Sequence, residues 1–453
     1  MVIKNGLVAF SGKDEFLPRD IRIHDGRIAE IGSDFAGEPV VDAEGCWVVP
    51  GGVDPHVHFY EPGYTQREDF AHGNAAAASG GVTTIIDMPC TSLPQVTNRT
   101  NLEIKLSIVQ PKAIIDFGFH GGVSRQLFDN GYREAMASIG DTVMAFKTYA
   151  ISGMEEVWGA LDHWRFRKVL ERARELDSIV LLHAEDAEYI NNATRYYEQA
   201  GSSPREWYDA RPELAELLAV MSAKRICEEV GGNLHVVHMG VGEVAELLIG
   251  EPANGATFTG ETCPHYLAFS LEDFEKQGAA MKVAPPIKSA ENPPRLWELL
   301  ADGTLEYIAS DHAPGTPEEK APGSIWKQHA GIAGVGTILP YTFSEGYLTG
   351  RLSLSRYLEV TSEKAARRFR IFHRKGSIEV GKDADLVLLS QKEEWTVRAA
   401  EFLSKGKISP FEGWSFKGRV KRTFVRGREV YRDGEGVVTE GGWGQLLTPK
   451  KEA

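Results

Sequence analysis

Residues 54–63 read DPHVHFYEPG, placing His56 and His58 on either side of a valine, directly after the apolar run CWVVPGGV. A strand sends alternate side chains to opposite faces, so imidazoles two residues apart point the same way. Other candidates stand at the ends of further apolar runs: Lys147 in VMAFKTYA, His183 in IVLLHAED, His238 in NLHVVHMG and Asp311 in LEYIASDHAP. Imidazole nitrogen and carboxylate oxygen are the donors that suit zinc and related divalent ions. Any one of these residues alone is most simply a hydrogen-bonded structural group. Four histidines and an aspartate placed independently at matching strand ends point instead to a metal centre. His235 lies close to His238 in the chain, and His238 is the better placed of the two. Lys147 is the odd member, since an ammonium repels a cation. It reads either as half of a structural ion pair or as a carbamate formed with carbon dioxide, an anion whose oxygens could bridge two metals.

To meet, these side chains need a scaffold whose strands all end on one side. Eight short apolar or β-branched runs supply candidates: 46–58, 82–89, 113–120, 143–150, 179–186, 233–240, 257–264 and 305–314. Most are separated by stretches of helical character, such as FRKVLERAREL and the alanine-rich HGNAAAASG. Strands alternating with helices indicate βαβ units in a parallel sheet. Eight units predict an α/β fold, a (β/α)8 TIM-like barrel of about 250 residues or more with its chemistry at the carboxyl ends of the strands. The termini read differently. Residues 1–48 and 376–440 carry short β segments broken by Gly and Asp, as in DIRIHDGRIAEIG and GSIEVGKDADLVLLS, without helical inserts. They predict one small β-sandwich domain built from both ends, with the catalytic barrel, 49–375, inserted between. Residues 441–453 read as a polar, mobile tail.

Composition narrows the function. At 453 residues, 42% hydrophobic and 25% charged, the chain can bury a large core. A formal net charge of −14 disfavours nucleic acid and anionic membrane surfaces, whose phosphates it would repel. The four cysteines, Cys46, Cys90, Cys227 and Cys263, lack paired spacing, which fits a reducing cytoplasm rather than a disulfide framework or zinc ribbon. MVIKNGLVAF is not a signal peptide, and no apolar run is long enough to span a membrane.

The motifs GGVDPHVHFYEPG, FKTY, LLHAED, LHVVHMG, ETCPHYL, VAPPIK, IASDHAPGTPEEK and GSIEVGKDADLVLL together carry a resemblance that covers nearly the whole chain. It is similar to the cyclic amidohydrolases of the amidohydrolase superfamily, the group holding dihydroorotase, allantoinase and hydantoinase/dihydropyrimidinase. That resemblance implies a terminal β domain on a metal-dependent barrel. It implies that His56 and His58 bind one divalent ion with Asp311, that His183 and His238 bind a second, and that Lys147, carboxylated to N6-carboxylysine, bridges them. Zinc is the expected metal, a small cyclic amide the expected partner, and a homo-oligomer, dimer or tetramer, the expected assembly. The implied reaction is hydrolysis of a cyclic amide C–N bond by a metal-bridging hydroxide. Asp311 then acts as general acid/base and passes the proton to the departing ring nitrogen; Asp311 as a ligand alone is the other reading. A non-catalytic assembly homologue would have no need of six metal-site residues, and all six are present.

The ring is read from residues beside the ligands. Dihydroorotase-like sequences carry an arginine two places after the second histidine, an asparagine after DMP and a histidine in TDHAPH; here those places hold Tyr60, Cys90 and Gly315. Losing that grip on a substrate carboxylate disfavours dihydroorotate, unless Lys288 or Arg67 substitutes. Hydantoinase-like sequences place a tyrosine five residues after the lysine to help hold the reacting carbonyl oxygen, where this chain has Ser152. Allantoinases are more similar, through EPG, DMPCTSLP, FGFHGGV, NPPRLWELL and HAGIAGVGTILP, although SDHAP, His120 and FKTYAISG depart from their pattern. An allantoinase-like ureide hydrolase is therefore expected, with dihydroorotase and hydantoinase/dihydropyrimidinase as alternatives. Tyr60, Cys90, Ser152 and Pro286 are the expected substrate contacts, Pro285–Pro286 shaping a loop over the pocket. Glu61 reads as orienting a ligand histidine or capping a turn, His265 as a supporting residue, and the tyrosine-rich stretch 194–212 as a lid or subunit contact.

Overall fold

Short strands that are apolar on both faces are stable only when both faces are covered, which is the condition inside an α/β barrel. In the computed structural model, which describes residues 1–37 and 39–450, each of the eight expected runs contains a strand. They are β1 (Gly52–Val57), β2 (Val82–Asp87), β3 (Asp116–Phe119), β4 (Phe146–Tyr149), β5 (Val180–His183), β6 (Asn233–Val236), β7 (Thr257–Thr262) and β8 (Tyr307–Ile308). β1, β2 and β3 pair in parallel, as do β4 to β8 in succession, and the short strand Gly121–Gly122 joins β4. The ring closes where Val57 bridges His312 in parallel and the His58 amide donates to the His312 carbonyl at 2.7 Å. The first run is divided: Cys46–Pro50 joins the terminal sheet, and only the segment after it enters the barrel.

Strand alternation sorts the barrel side chains. Ile86, Ala145, Ile179, Leu181, Val237 and Tyr307 pack together inside, while Ile85, Phe146, Val180, Leu182, Val236 and Ile308 pack outward against the helices. Continuing the inward rows by one step along the strand reaches Lys147 and His183. The crossover helices start where sequence provides a cap. Asp69 accepts from the His72 amide at the head of Phe70–Ser79, and Asp162 from the Arg165 amide at the head of His163–Glu175. In the latter helix Phe166, Val169, Leu170 and Ala173 form the buried stripe, the spacing of a one-sided amphipathic helix.

The terminal domain is a nine-stranded mixed sheet drawn from both chain ends. Alternation again decides the packing: Leu386 and Leu388 face a core with Val48, Ile3 and Ile21, whereas Val387 and Leu389 face Val49, Phe343 and Leu358 on the barrel side. The union of the two parts is polar as well. Buried Lys375 contacts Asp116 at the start of β3 (2.5 Å) and Asp385 (2.7 Å) and Asp383 (2.9 Å) of the terminal domain, and Arg426 contacts Asp116 and Asp385. A group of three carboxylates that could have held a cation is thus neutralised by the chain's own lysine and arginine.

The last stretch is not the mobile tail expected. The Gln445 amide donates to Asp116, the Leu447 amide to the Phe117 carbonyl, and the buried Leu447 packs with Phe369 and Ile371 inside the barrel. The apolar pair in GQLLTPKKEA, hidden among polar residues, is what ties it down; residues 451–453 lie outside the described residues. No helix among the described residues is long and apolar enough to cross a membrane.

Candidate metal centre

The six side chains expected at the strand ends come together. Asp311 Oδ1 lies 3.2 Å from His56 Nε2 and 3.4 Å from His58 Nε2, and one ligand atom from each of the three falls within 4.8 Å of the others. The His56 ring is 5.4 Å from that of His238, and His183 Nδ1 is 3.0 Å from His238 Nε2. Tyr149 stacks on His183 with ring centroids 5.1 Å apart, and Lys147 Nζ lies 5.1 Å from the centre of the Tyr149 ring. All but Asp311 are buried, and its side chain is only 13% exposed.

Partners behind the rings set the tautomers. His56 Nδ1 faces Glu261 Oε1 at 2.6 Å, His58 Nδ1 faces the Thr91 hydroxyl at 3.0 Å, and His183 Nε2 faces Glu185 Oε2 at 2.9 Å. A ring N–H donated to a carboxylate leaves the opposite nitrogen as a lone pair aimed at the centre, the arrangement that orients metal-binding histidines. The supports are themselves held: Glu261 also contacts His235, which contacts the Tyr307 hydroxyl, and Glu185 pairs with Arg211 at 2.6 Å. Burial holds His56, His183 and His238 below the usual imidazole range, with the Lys147 amine beside them acting the same way. They are neutral, as ligands must be. Burial opposes charge at His58 too, yet the Asp311 carboxylate and Cys90 thiol push it up to about 9, so positive charge is favoured between His58 and Asp311. Burial brings Lys147 down to about 8.

Lys147 Nζ, His56 Nε2 and His238 Nδ1 are buried without a hydrogen-bond partner. Buried polar atoms are rarely left so, and three orphans within one nitrogen- and oxygen-rich cluster fit a site for divalent ions. Backbone strain is present here as well: Tyr60, His238 and Asp311 all have positive φ, at 56°, 45° and 47°. For residues with a Cβ that conformation costs about 1–3 kcal/mol and persists where the surroundings impose it.

The cluster lies in a cavity of about 390 Å³, a size suited to a small ring. Tyr60 lines it, while Cys90 sits behind Tyr149 and His58, its sulfur 3.2 Å from the Tyr149 hydroxyl. Ser152 and Pro286 are absent from the wall. The Ser152 hydroxyl accepts from the Met154 amide, and it is Ile151, Gly153 and Met154 that face the cavity; near Pro286, which is buried, Lys282 and Ala284 do so. Lys288 pairs with Glu216 and donates to the Arg211 carbonyl outside the cavity, whereas Arg67 lines it. Glu61 binds the Phe70 amide and Lys112 rather than a histidine. His265 is buried outside the ligand cluster, with both ring nitrogens unpartnered. From 194–212, Trp207 and Arg211 enter the wall while Tyr196 is exposed.

Sequence reading missed Tyr149, Trp207, Lys282 and His329 on the wall. For His329 a signal existed in Gly315: a Cβ there would come within 2.8 Å of the His329 ring, so the small residue makes room for an imidazole from elsewhere in the chain.

Residues 47–430 match the model of the Amidohydrolase family. An allantoinase of Rubrobacter xylanophilus is 35% identical over 100% of this chain and 98% of its own, and one of Enterococcus faecalis 31% identical over 96% and 97%. The L-hydantoinase (dihydropyrimidinase) from Arthrobacter aurescens superposes with a TM-score of 0.93 at 32% identity, covering 99% of both chains. The dihydropyrimidinase from Brevibacillus agri gives 0.90 at 29%, covering 100% of this chain and 99% of that one.

Glu261 offers a test of the centre without an assay. Glu261→Gln removes the carboxyl group behind His56 and should weaken metal retention about 10- to 100-fold, measured as metal content after dialysis against graded chelator. Unchanged retention would mean that the Glu261 carboxyl group adds nothing to metal binding at His56.

Proposed function

Because the chain belongs to the amidohydrolase family, we propose that it opens a hydantoin-type ring by metal-dependent hydrolysis of a cyclic amide C–N bond, in the manner of an allantoinase. The observation that carries this reading is the convergence of four imidazoles, a carboxylate and a lysine on the floor of one ring-sized cavity. Relatives named allantoinase and structural neighbours named hydantoinase agree chemically, since allantoin is hydantoin bearing a ureido group. The donor set favours zinc. His56, His58 and Asp311 hold one ion and His183 and His238 the second.

When bound, the two ions polarise the ring carbonyl and bring the pKa of a water to about 7. Asp311 takes the proton from the attacking water and delivers it to the ring nitrogen, without which an amide anion would have to leave. Lys147 would hold the ions through the oxygens of a carbamate; its buried amine, brought down toward neutrality, has access to the uncharged form that adds carbon dioxide. Tyr149 donates to the carbonyl oxygen as charge develops there. Among the described residues its hydroxyl has only the Cys90 thiol for a partner, a weak one, whereas the Thr91 hydroxyl is engaged with His58. In this reading the phenol stands two residues after the lysine, and Ser152, at the fifth place, takes no part.

A hydrolysis panel of allantoin, hydantoin, dihydrouracil and dihydroorotate, with metal content measured, tests the function; allantoin should be opened fastest, and a clear preference for dihydroorotate would overturn the ring assignment. Lys147→Ala should abolish turnover, with partial rescue by short-chain carboxylates that stand in for the bridge; full activity without rescue would exclude the carbamate. Tyr149→Phe should lower kcat about 100-fold with metal content unchanged, and an unaltered kcat would remove the phenol from the reaction.

A further inference from the structure

The Tyr60 hydroxyl is 3.2 Å from His329 Nε2, and the same nitrogen is 3.1 Å from the Ala313 carbonyl oxygen. That oxygen can only accept, so Nε2 must carry the hydrogen; the opposite tautomer would set two lone pairs against each other. Nε2–H then points at both oxygens. Two consequences follow. The Tyr60 hydroxyl accepts from His329 and its own hydrogen is left to donate, and His329 Nδ1 is an unprotonated acceptor. No protein donor to Nδ1 is found among the described residues. Burial and the nearby Arg67 bring His329 down to about 4, so its imidazole is neutral near pH 7.

Both residues line the cavity that holds the ligand set, and the Tyr60 ring centroid is 6.3 Å from that of His58. Their positions are secured from two sides. Tyr60 takes a left-handed backbone conformation with its ring 5.4 Å from the Arg67 guanidinium. His329 is anchored by its amide on the Glu319 carbonyl, while the Glu319 carboxylate grips Arg67 at 2.6 Å, and Gly315 gives its ring room. Two further polar groups on the wall are spent: the indole N–H of Trp207 donates to Val283 and that of Trp326 to Gly201.

With a hydantoin-type ring seated at the ligand set, as read above, we propose that Tyr60 and His329 form a donor–acceptor pair that recognises a neutral amide or ureido substituent on that ring. The substituent's carbonyl oxygen accepts from the Tyr60 hydroxyl and its N–H donates to His329 Nδ1. A carboxylate at the same place has no hydrogen to offer Nδ1 and sets its oxygen against that lone pair. The specificity of this chain therefore lies in two residues that come from different loops, one adjacent to the ligand His58 and one beside Gly315.

Allantoin and hydantoin share the ring and differ by the ureido group, so the ratio of their kcat/KM values isolates the substituent from any general loss of folding or metal. Wild-type holoenzyme should favour allantoin. Tyr60→Phe and His329→Ala should each lower the ratio by about tenfold, the scale of a well-made hydrogen bond. Gly315→Ala, which displaces the imidazole without removing it, should do the same. The double variant should lose less than the sum of the singles, because the two groups act on one substituent. A ratio unchanged in all the single variants overturns the pair. Calorimetric binding of allantoin and hydantoin separates this from the ring-opening reading. If neither ring is hydrolysed but allantoin binds tighter in a manner lost in Tyr60→Phe, the pair stands and the reaction assignment fails. If the two bind equally to the wild type, the pair fails.

Discussion

The bond from the His58 amide to the His312 carbonyl, 2.7 Å long, joins the first barrel strand to the segment after the last. It closes the ring of strands. Through it the two histidines of the first strand end meet Asp311, 253 to 255 residues further along the chain. Without closure the ligands would sit on the edges of an open sheet. With it, strand parity places two more, since the inward rows that fill the lower barrel with Ile179, Leu181 and Ala145 end at His183 and Lys147, while His238 departs from the alternation after Val237 with a positive φ. The centre is thus an extension of the packed core, and its rigidity derives from the same interdigitation.

Placing so many imidazoles and an amine in a dry cavity is costly by itself. Removing charge from water disfavours the charged form, which is why His56, His183 and His238 are held neutral and Lys147 is depressed. The chain answers with a layer of fixed acceptors, Glu261 behind His56 and Glu185 behind His183. Burial would raise Glu185, but Arg211 and His183 hold it down to about 2, so it remains an anion. What it leaves unanswered are the three unpartnered atoms of the ligand set. A structural core would have no reason to keep them, whereas a site that exchanges water and ions does.

The barrel and the meeting of the six side chains at its strand ends were legible in the sequence because they obey local rules. Apolar runs at regular intervals are strands whatever they bind, and a histidine or aspartate closing several such runs in succession is hard to produce by packing alone. The tail was misread because Leu446 and Leu447 are only two residues in a polar stretch, and the anchors they meet, Phe117 and Phe369, are remote in sequence. Ser152 and Pro286 were misplaced for a related reason. A position counted from a motif assumes that the loop keeps its path, and here the turn after Tyr149 directs Ile151 and Met154 inward while the Ser152 hydroxyl binds the backbone. Counting works along strands and fails in loops.

That difference between strand and loop also separates the floor of the cavity from its wall. The six clustered side chains stand at the ends of barrel strands joined by ring closure. The wall is assembled from side chains on separate loops, and there a loss at one position can be met from another. Gly315 and His329 illustrate it: the smallest residue stands where a side chain would otherwise project, and the imidazole that fills the space comes from beyond the Thr316–Glu319 turn, locked by Arg67 and Glu319. Either change alone would be harmful, since a side chain at 315 would clash with the imidazole and its absence without His329 would leave a hole. Together they set which polar atoms line this part of the cavity. Specificity in this architecture is therefore a property of pairs of loop residues brought into contact by the fold, while the chemistry belongs to the strand ends beneath them.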